Sequence, residues 1–148
     1  MSVFRFRLET LLRIRRAALD QQRARLADAY RAEAMLREQE AALLREIESI
    51  QAERRAAVAD GAVAVDNALA AQRYELLLQA QRQTLAEQGR KLAEAIEQRR
   101  NAVIEADRDV RVLEKLRERR MTEHRAAEAG REMKLLDEVA ARVRREAP

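Results

Sequence analysis

The chain has 148 residues, of which 38% are charged, 47% hydrophobic and 3% aromatic, with no Cys and no Trp. That length fits one domain, and a composition dominated by Ala, Leu, Glu, Arg and Gln excludes a large aromatic core and favours long helices over disorder. The lack of Cys excludes disulfides and zinc–thiolate sites, and the absence of any run of about 18 apolar residues excludes a bilayer span.

The N-terminus places Phe4 and Phe6 among arginines, without the apolar core of a secretion signal, so no export of this chain is expected. From Leu8 to Val58 there is no Gly or Pro, and a first helix is expected over about 5–59. A 3-4 spacing picks out Leu8, Leu12, Arg15, Leu19, Gln22, Leu26, Ala29, Glu33, Leu36, Glu40, Leu43, Ile47, Ile50, Arg54 and Ala57. Ten of these fifteen are apolar, so the seam is serviceable but weak. About fifty residues at the α-helical rise give a rod of roughly 75 Å.

The segment Asp60-Gly61-Ala62-Val63-Ala64-Val65-Asp66 ends this helix and starts another. Gly61 can adopt the left-handed conformation past a helix end, and Asp66 suits the N-cap of the next helix. A short connection makes antiparallel neighbours. The expected fold is therefore all-α: one long two-helix antiparallel coiled-coil hairpin over residues 1–148, with its tip at residues 60–66.

The second helix is expected over about 67–145. Its seam stripe is Leu78, Leu85, Leu92, Ile96, Val103, Ala106, Val110 and Leu113, interrupted by Arg82, Gly89 and Arg99. Gly89 is either a small residue tolerated in the seam or a flexible point. Near the tip, Leu69, Tyr74, Leu76, Leu77 and Leu78 cover too wide an arc for one seam, so some apolar surface there stays exposed. Folding about the tip sets Phe4 opposite Thr122 and leaves 123–148 overhanging the first helix. Met133, Leu135, Leu136, Val139 and Val143 then have no partner in the chain, and Gly130 is a candidate break before them.

Residues 1–31 hold eight Arg against three acids, residues 32–89 six basic against ten acidic, and residues 90–120 ten against seven. The hairpin is therefore expected to be basic where its ends meet and acidic towards the tip. No Gly-rich phosphate loop occurs, and the single histidine, His124, reads as a solvated helix residue. No constellation for acid–base or nucleophilic catalysis is found, so neither an enzyme nor a cofactor or metal site is expected. Arg alternates with Glu along most of the chain, which argues against specific nucleic-acid binding and leaves a basic helical binder of nucleic acid or anionic membrane as a lesser alternative.

Three stretches in order resemble one family. Phe4-Arg5-Phe6-Arg7-Leu8-Glu9-Thr10-Leu11-Leu12 resembles the opening of the FliJ family of the flagellar type III export apparatus. Leu113-Glu114-Lys115-Leu116-Arg117-Glu118-Arg119-Arg120 resembles its basic motif late in the second helix. Lys134-Leu135-Leu136-Asp137-Glu138-Val139-Ala140 resembles its C-terminal ending. Stalk proteins of the related injectisome share the pattern, as does, more loosely, a generic coiled-coil adaptor.

The resemblance implies a cytoplasmic, non-enzymatic antiparallel coiled coil, similar to the coiled-coil part of the gamma subunit of rotary ATP synthases. Such proteins occupy the hexameric export ATPase, promote its activity, couple it to the membrane export gate and engage export chaperones. They associate with the inner membrane peripherally, without inserting. On this chain Arg13, Arg16, Lys115, Arg117, Arg119 and Arg120 would match the ATPase-contacting end. Tyr74, Leu77 and Leu78 would match the gate-contacting region, although Leu78 also falls on the seam. Leu135, Leu136, Asp137 and Val139 would form a partner-binding tail.

Overall fold

A computed structural model describes residues 2–61 and 65–148. Two helices make up the fold: α1, Glu9–Ala59, and α2, Val65–Glu146. They pack against each other as an all-α helical hairpin. Of the expected tip, Ala62, Val63 and Ala64 lie outside the described residues.

Both helices start and stop for local reasons. The Glu9 amide bonds the Phe6 carbonyl at 3.2 Å and the Leu12 amide bonds Leu8 at 2.9 Å, so the first turn forms only once the chain has passed Arg7. The helix thus starts about a turn later than the expected position near residue 5, and residues 2–6 form a non-helical strap. At the other end, the Gly61 amide bonds the Val58 carbonyl at 3.2 Å with φ +66°. A left-handed residue after the last turn is the usual way to satisfy terminal carbonyls, and glycine adopts it without a Cβ penalty. Asp66 lies inside the first turn of α2 rather than ahead of it. Its carboxylate there complements the positive helix end, as Arg144 and Arg145 complement the other end.

The chain divides into two compact units. The first comprises Met1–Gln21 with Val103–Pro148, the second Gln22–Ala102. In the first, Leu12, Leu19, Val110 and Leu113 are buried together, with Phe6, Leu8, Val103 and Ala106 packed on them. In the second, Leu43, Ile47 and Leu78 form the core, flanked by Ile50 and Leu85, and Ala29 and Ile96 are buried as well. All of these buried residues stand on the expected seam, and each large side chain contributes about 1.5–3 kcal/mol by leaving water.

Polar seam positions avoid burial. Arg15 and Arg54 turn outward and pair across the helices, Arg15 with Asp109 at 3.6 Å and Arg54 with Glu75. Their stems cover apolar surface while the charged heads stay in water. Gly89 faces α1: a Cβ there would meet Leu36 Cδ2 at 3.5 Å and Glu40 Oε1 at 3.7 Å, which is ordinary contact. It is a seam residue within unbroken helix, not a hinge. Gly130 likewise does not break α2, which continues to Glu146. One isolated glycine costs about 1 kcal/mol of helix propensity, too little to stop a run of strong helix formers.

Candidate functional site

The expected contact residues fall on three surfaces. The first is the basic surface of the first unit. Arg117 Nε donates to Glu9 Oε2 at 3.1 Å, and Arg16 Nη2 donates to Glu114 Oε1 at 3.1 Å. These bonds join α1 to α2 and bring cations from both arms together. Such partly exposed pairs contribute up to about 1 kcal/mol each. Arg13, Lys115, Arg119 and Arg120 are exposed and form no ion pair with a described residue, so their charges face outward. The six cations do not share one face. At about 100° per residue, Lys115 and Arg119 point away from α1 whereas Arg117 points towards it.

The strap packs beside this surface. Together with Leu116, Arg120 and His124 it lines a cleft of about 880 Å³ that also presents Arg5 and Arg7. The Ser2 amide donates to Glu128 Oε1 at 3.3 Å, and the Ser2 hydroxyl donates to the same oxygen. Phe4 stacks obliquely on His124, with ring centroids 5.6 Å apart. His124 Nε2 lies 3.3 Å from the Ser2 carbonyl and 3.9 Å from Glu128. The Ser2 hydroxyl, more than the nearby His124, holds the Glu128 carboxyl below its ordinary range. His124 is therefore a half-buried strap contact, not the solvated residue expected. Two of its partners, Ser2 and Phe4, come from the far end of the sequence and carry no local signal.

The second surface follows the tip, in the second unit. Tyr74 is 43% exposed and Leu77 54%, with Leu69 and Leu76 exposed beside them. Leu77 lines a shallow groove of about 520 Å³ with Ala42, Leu43, Ala80 and Leu85. The Tyr74 hydroxyl donates to Glu46, and that bond raises the phenol above its ordinary value, with burial adding to the effect. Glu75 accepts from Gln51 at 3.1 Å and from Arg54, which holds its carboxyl low. Glu75 and Leu78 thus face α1 and Leu77 faces outward. At 2% exposure Leu78 is packed against Leu43 and Ile47. It has no surface for a partner and is removed from the expected gate contact.

The third surface is the end of α2. Beyond Glu128 every residue is exposed, including Asp137. Met133, Leu135, Leu136, Val139 and Val143 are 56–68% exposed. Among the described residues no cluster of His, Cys, Asp or Glu could hold a metal ion, and no helix is long and apolar enough to cross a membrane.

No curated protein and no solved structure matches the chain. The family model described as Flagellar FliJ protein matches residues 4–147, essentially the whole chain, and the chain belongs to that family, a component of the flagellar export apparatus.

Proposed function

We propose that the protein is a non-enzymatic stalk that binds and stimulates the hexameric export ATPase through its basic surface and contacts the membrane export gate through Tyr74 and Leu77. The exposed end of α2, with Leu135, Leu136, Asp137 and Val139, engages export chaperones. Family membership supports the setting. The observation that carries the reading is the set of exposed cations that form no ion pair with a described residue, Arg13, Lys115, Arg119 and Arg120, supplied by both arms beside the cross-helix pairs of Arg16 and Arg117. A stalk entering a ring needs attraction without a locked register, and exposed arginines and lysines provide long, individually weak contacts.

Arg13→Glu with Arg120→Glu tests this reading, since neither residue holds the fold together through an ion pair. The double variant is expected to keep its helical circular dichroism and to lose affinity for the ATPase and its stimulation, most strongly at low salt. Normal stimulation across a salt series would remove the basic surface from the ring contact.

A further inference from the structure

Ahead of α1 the cover on α2 changes from a helix to a thin extended chain. Over residues 4–8, Phe4, Phe6 and Leu8 are half-buried and Arg5 and Arg7 are exposed, the alternation of an extended segment. Such a chain advances about 3.3 Å per residue, roughly twice the helical rise, so the strap reaches Glu128, where Ser2 is bonded. It is also roughly half as wide as a helix, and it does not fill the space that α1 takes beside α2 further along. Hollows therefore flank it on two sides of α2.

The two hollows differ in charge. The smaller, of about 550 Å³, has Arg117 and Arg125 beside Glu128 and Glu132, so its cations and acids balance. The larger is the cleft of about 880 Å³, where Arg5, Arg7 and Arg120 stand against one acid, Glu123. These three arginines are exposed and form no ion pair with a described residue. Leu116, Arg120 and Glu123 are spaced i, i+4 and i+7 and so share one face of α2. Leu116 there meets Phe4, Phe6 and Leu8 of the other wall, which makes the inside of the cleft apolar beneath its charged rim. Apolar walls with a few charges at the rim, in a volume of roughly 300–1,000 Å³, are the usual form of a site for a small ligand or short segment.

We propose that the strap cleft binds a short acidic segment of a partner protein that carries one large apolar side chain. The apolar side chain enters between the strap and Leu116, and the carboxylates beside it meet Arg5, Arg7 and Arg120. An arginine fork offers a carboxylate two parallel hydrogen bonds, which fixes the segment in place as well as attracting it. The apolar anchor separates this partner from a bare polyanion, whose charges gain nothing from Phe6 or Leu116. Arg5, Arg7 and Leu116 take no part in the ATPase, gate or chaperone contacts proposed above. Arg120 also belongs to the surface proposed for the ring, and the test leaves it unchanged.

Fluorescence anisotropy of the full chain with the labelled pentapeptide Asp-Asp-Phe-Asp-Asp tests it. Binding is expected, roughly tenfold weaker when Ala replaces the Phe of the peptide and absent when Lys replaces its Asp residues. Arg7→Glu is expected to weaken binding roughly tenfold at low salt and less as salt rises. Leu116→Gln, which keeps the helix propensity, is expected to weaken it roughly tenfold at every salt concentration. Arg125→Glu, in the balanced hollow, is expected to leave it unchanged. Helical circular dichroism of the three variants checks that the fold is kept, and the peptide comparison needs only the unaltered chain. Absence of binding overturns the proposal, as does wild-type affinity in both Arg7→Glu and Leu116→Gln. Equal affinity for the Phe and Ala peptides, or an equal loss from Arg7→Glu and Arg125→Glu, would overturn it too, by showing attraction to net charge alone.

Discussion

Two glycines in the same fold are expected to respond oppositely to alanine. Gly89 is helical, and a Cβ there would meet Leu36 Cδ2 at 3.5 Å and Glu40 Oε1 at 3.7 Å, both ordinary contacts. Gly89→Ala therefore gains about 1 kcal/mol of helix propensity and adds a methyl group to the seam without displacing anything. Gly61 has nothing within 4 Å of a Cβ, so space is not its constraint, but its φ is +66°. Alanine there would carry the left-handed penalty of about 1–2 kcal/mol. For a chain of this size 1 kcal/mol moves the midpoint by about 2–4 °C. Thermal unfolding followed by far-ultraviolet circular dichroism should thus show Gly89→Ala melting a few degrees above the parent and Gly61→Ala a few degrees below. A destabilised Gly89→Ala would mean that the two backbones approach more closely than the seam geometry has them. A neutral Gly61→Ala would mean that the end of α1 does not depend on a left-handed residue.

Other outcomes follow from burial and pairing. Leu78→Ala should cost about 2–5 kcal/mol in urea unfolding, whereas Leu77→Ala, on the exposed side, should cost well under 1 kcal/mol while weakening gate binding. Because the Tyr74 phenol is raised above 10.0 by its bond to Glu46, its contribution is present below the unfolded value and lost as pH rises through the folded one. Alkaline titration of tyrosinate absorbance should show Glu46→Gln lowering that value. The Glu75 carboxyl is held below 4.5, first by Gln51 and then by Arg54, so its contribution is present above the unfolded value and lost as pH falls through the folded one. Nuclear magnetic resonance titration of Gln51→Leu should find Glu75 protonating at higher pH. Amide hydrogen exchange of the free protein should be fast beyond Glu128, where no residue is covered, and slow around Leu12 and Val110.

The seam is legible in the sequence because its signal is local and periodic. A 3-4 spacing of Leu, Ile, Val and Ala places every buried side chain on its stripe, and the antiparallel register follows from where Gly61 interrupts the first helix. What escapes has a different physical origin. Phe4-Arg5-Phe6-Arg7 contains no breaker and so reads as helix, yet in the strap Phe4 packs on His124 of α2 and Phe6 on the core of the first unit. His124 reads as solvated because its neighbours in sequence are charged, while its contacts are with Ser2 and Phe4. Gly130 suggests a break by its identity alone, though the strong helix formers on both sides outweigh it. Of the expected contact residues, exposure separates Tyr74 and Leu77 from Leu78, in line with the place of Leu78 on the seam stripe.

The polar residues that flank the seam also bear on how one register is chosen. A leucine-rich seam on a heptad spacing tolerates slippage by seven residues, since apolar side chains meet apolar side chains again after each step. In the first unit the charges oppose a slip in either direction. Moving α1 one heptad one way replaces Glu9 by Arg16 opposite Arg117, and moving it the other way replaces Arg16 by Glu9 opposite Glu114. Each slip exchanges an attractive cross-helix contact for a like-charge one, a swing of up to about 1–2 kcal/mol at exposed positions. The second unit adds Gln51 and Arg54 gathered on Glu75, where a heptad step would replace Gln51 by Leu44 or Val58. The charged and polar groups beside the apolar seam, with Arg54 on it, thus fix which residues of α1 and α2 meet. They thereby fix which cations and which aliphatic side chains remain outside for a partner.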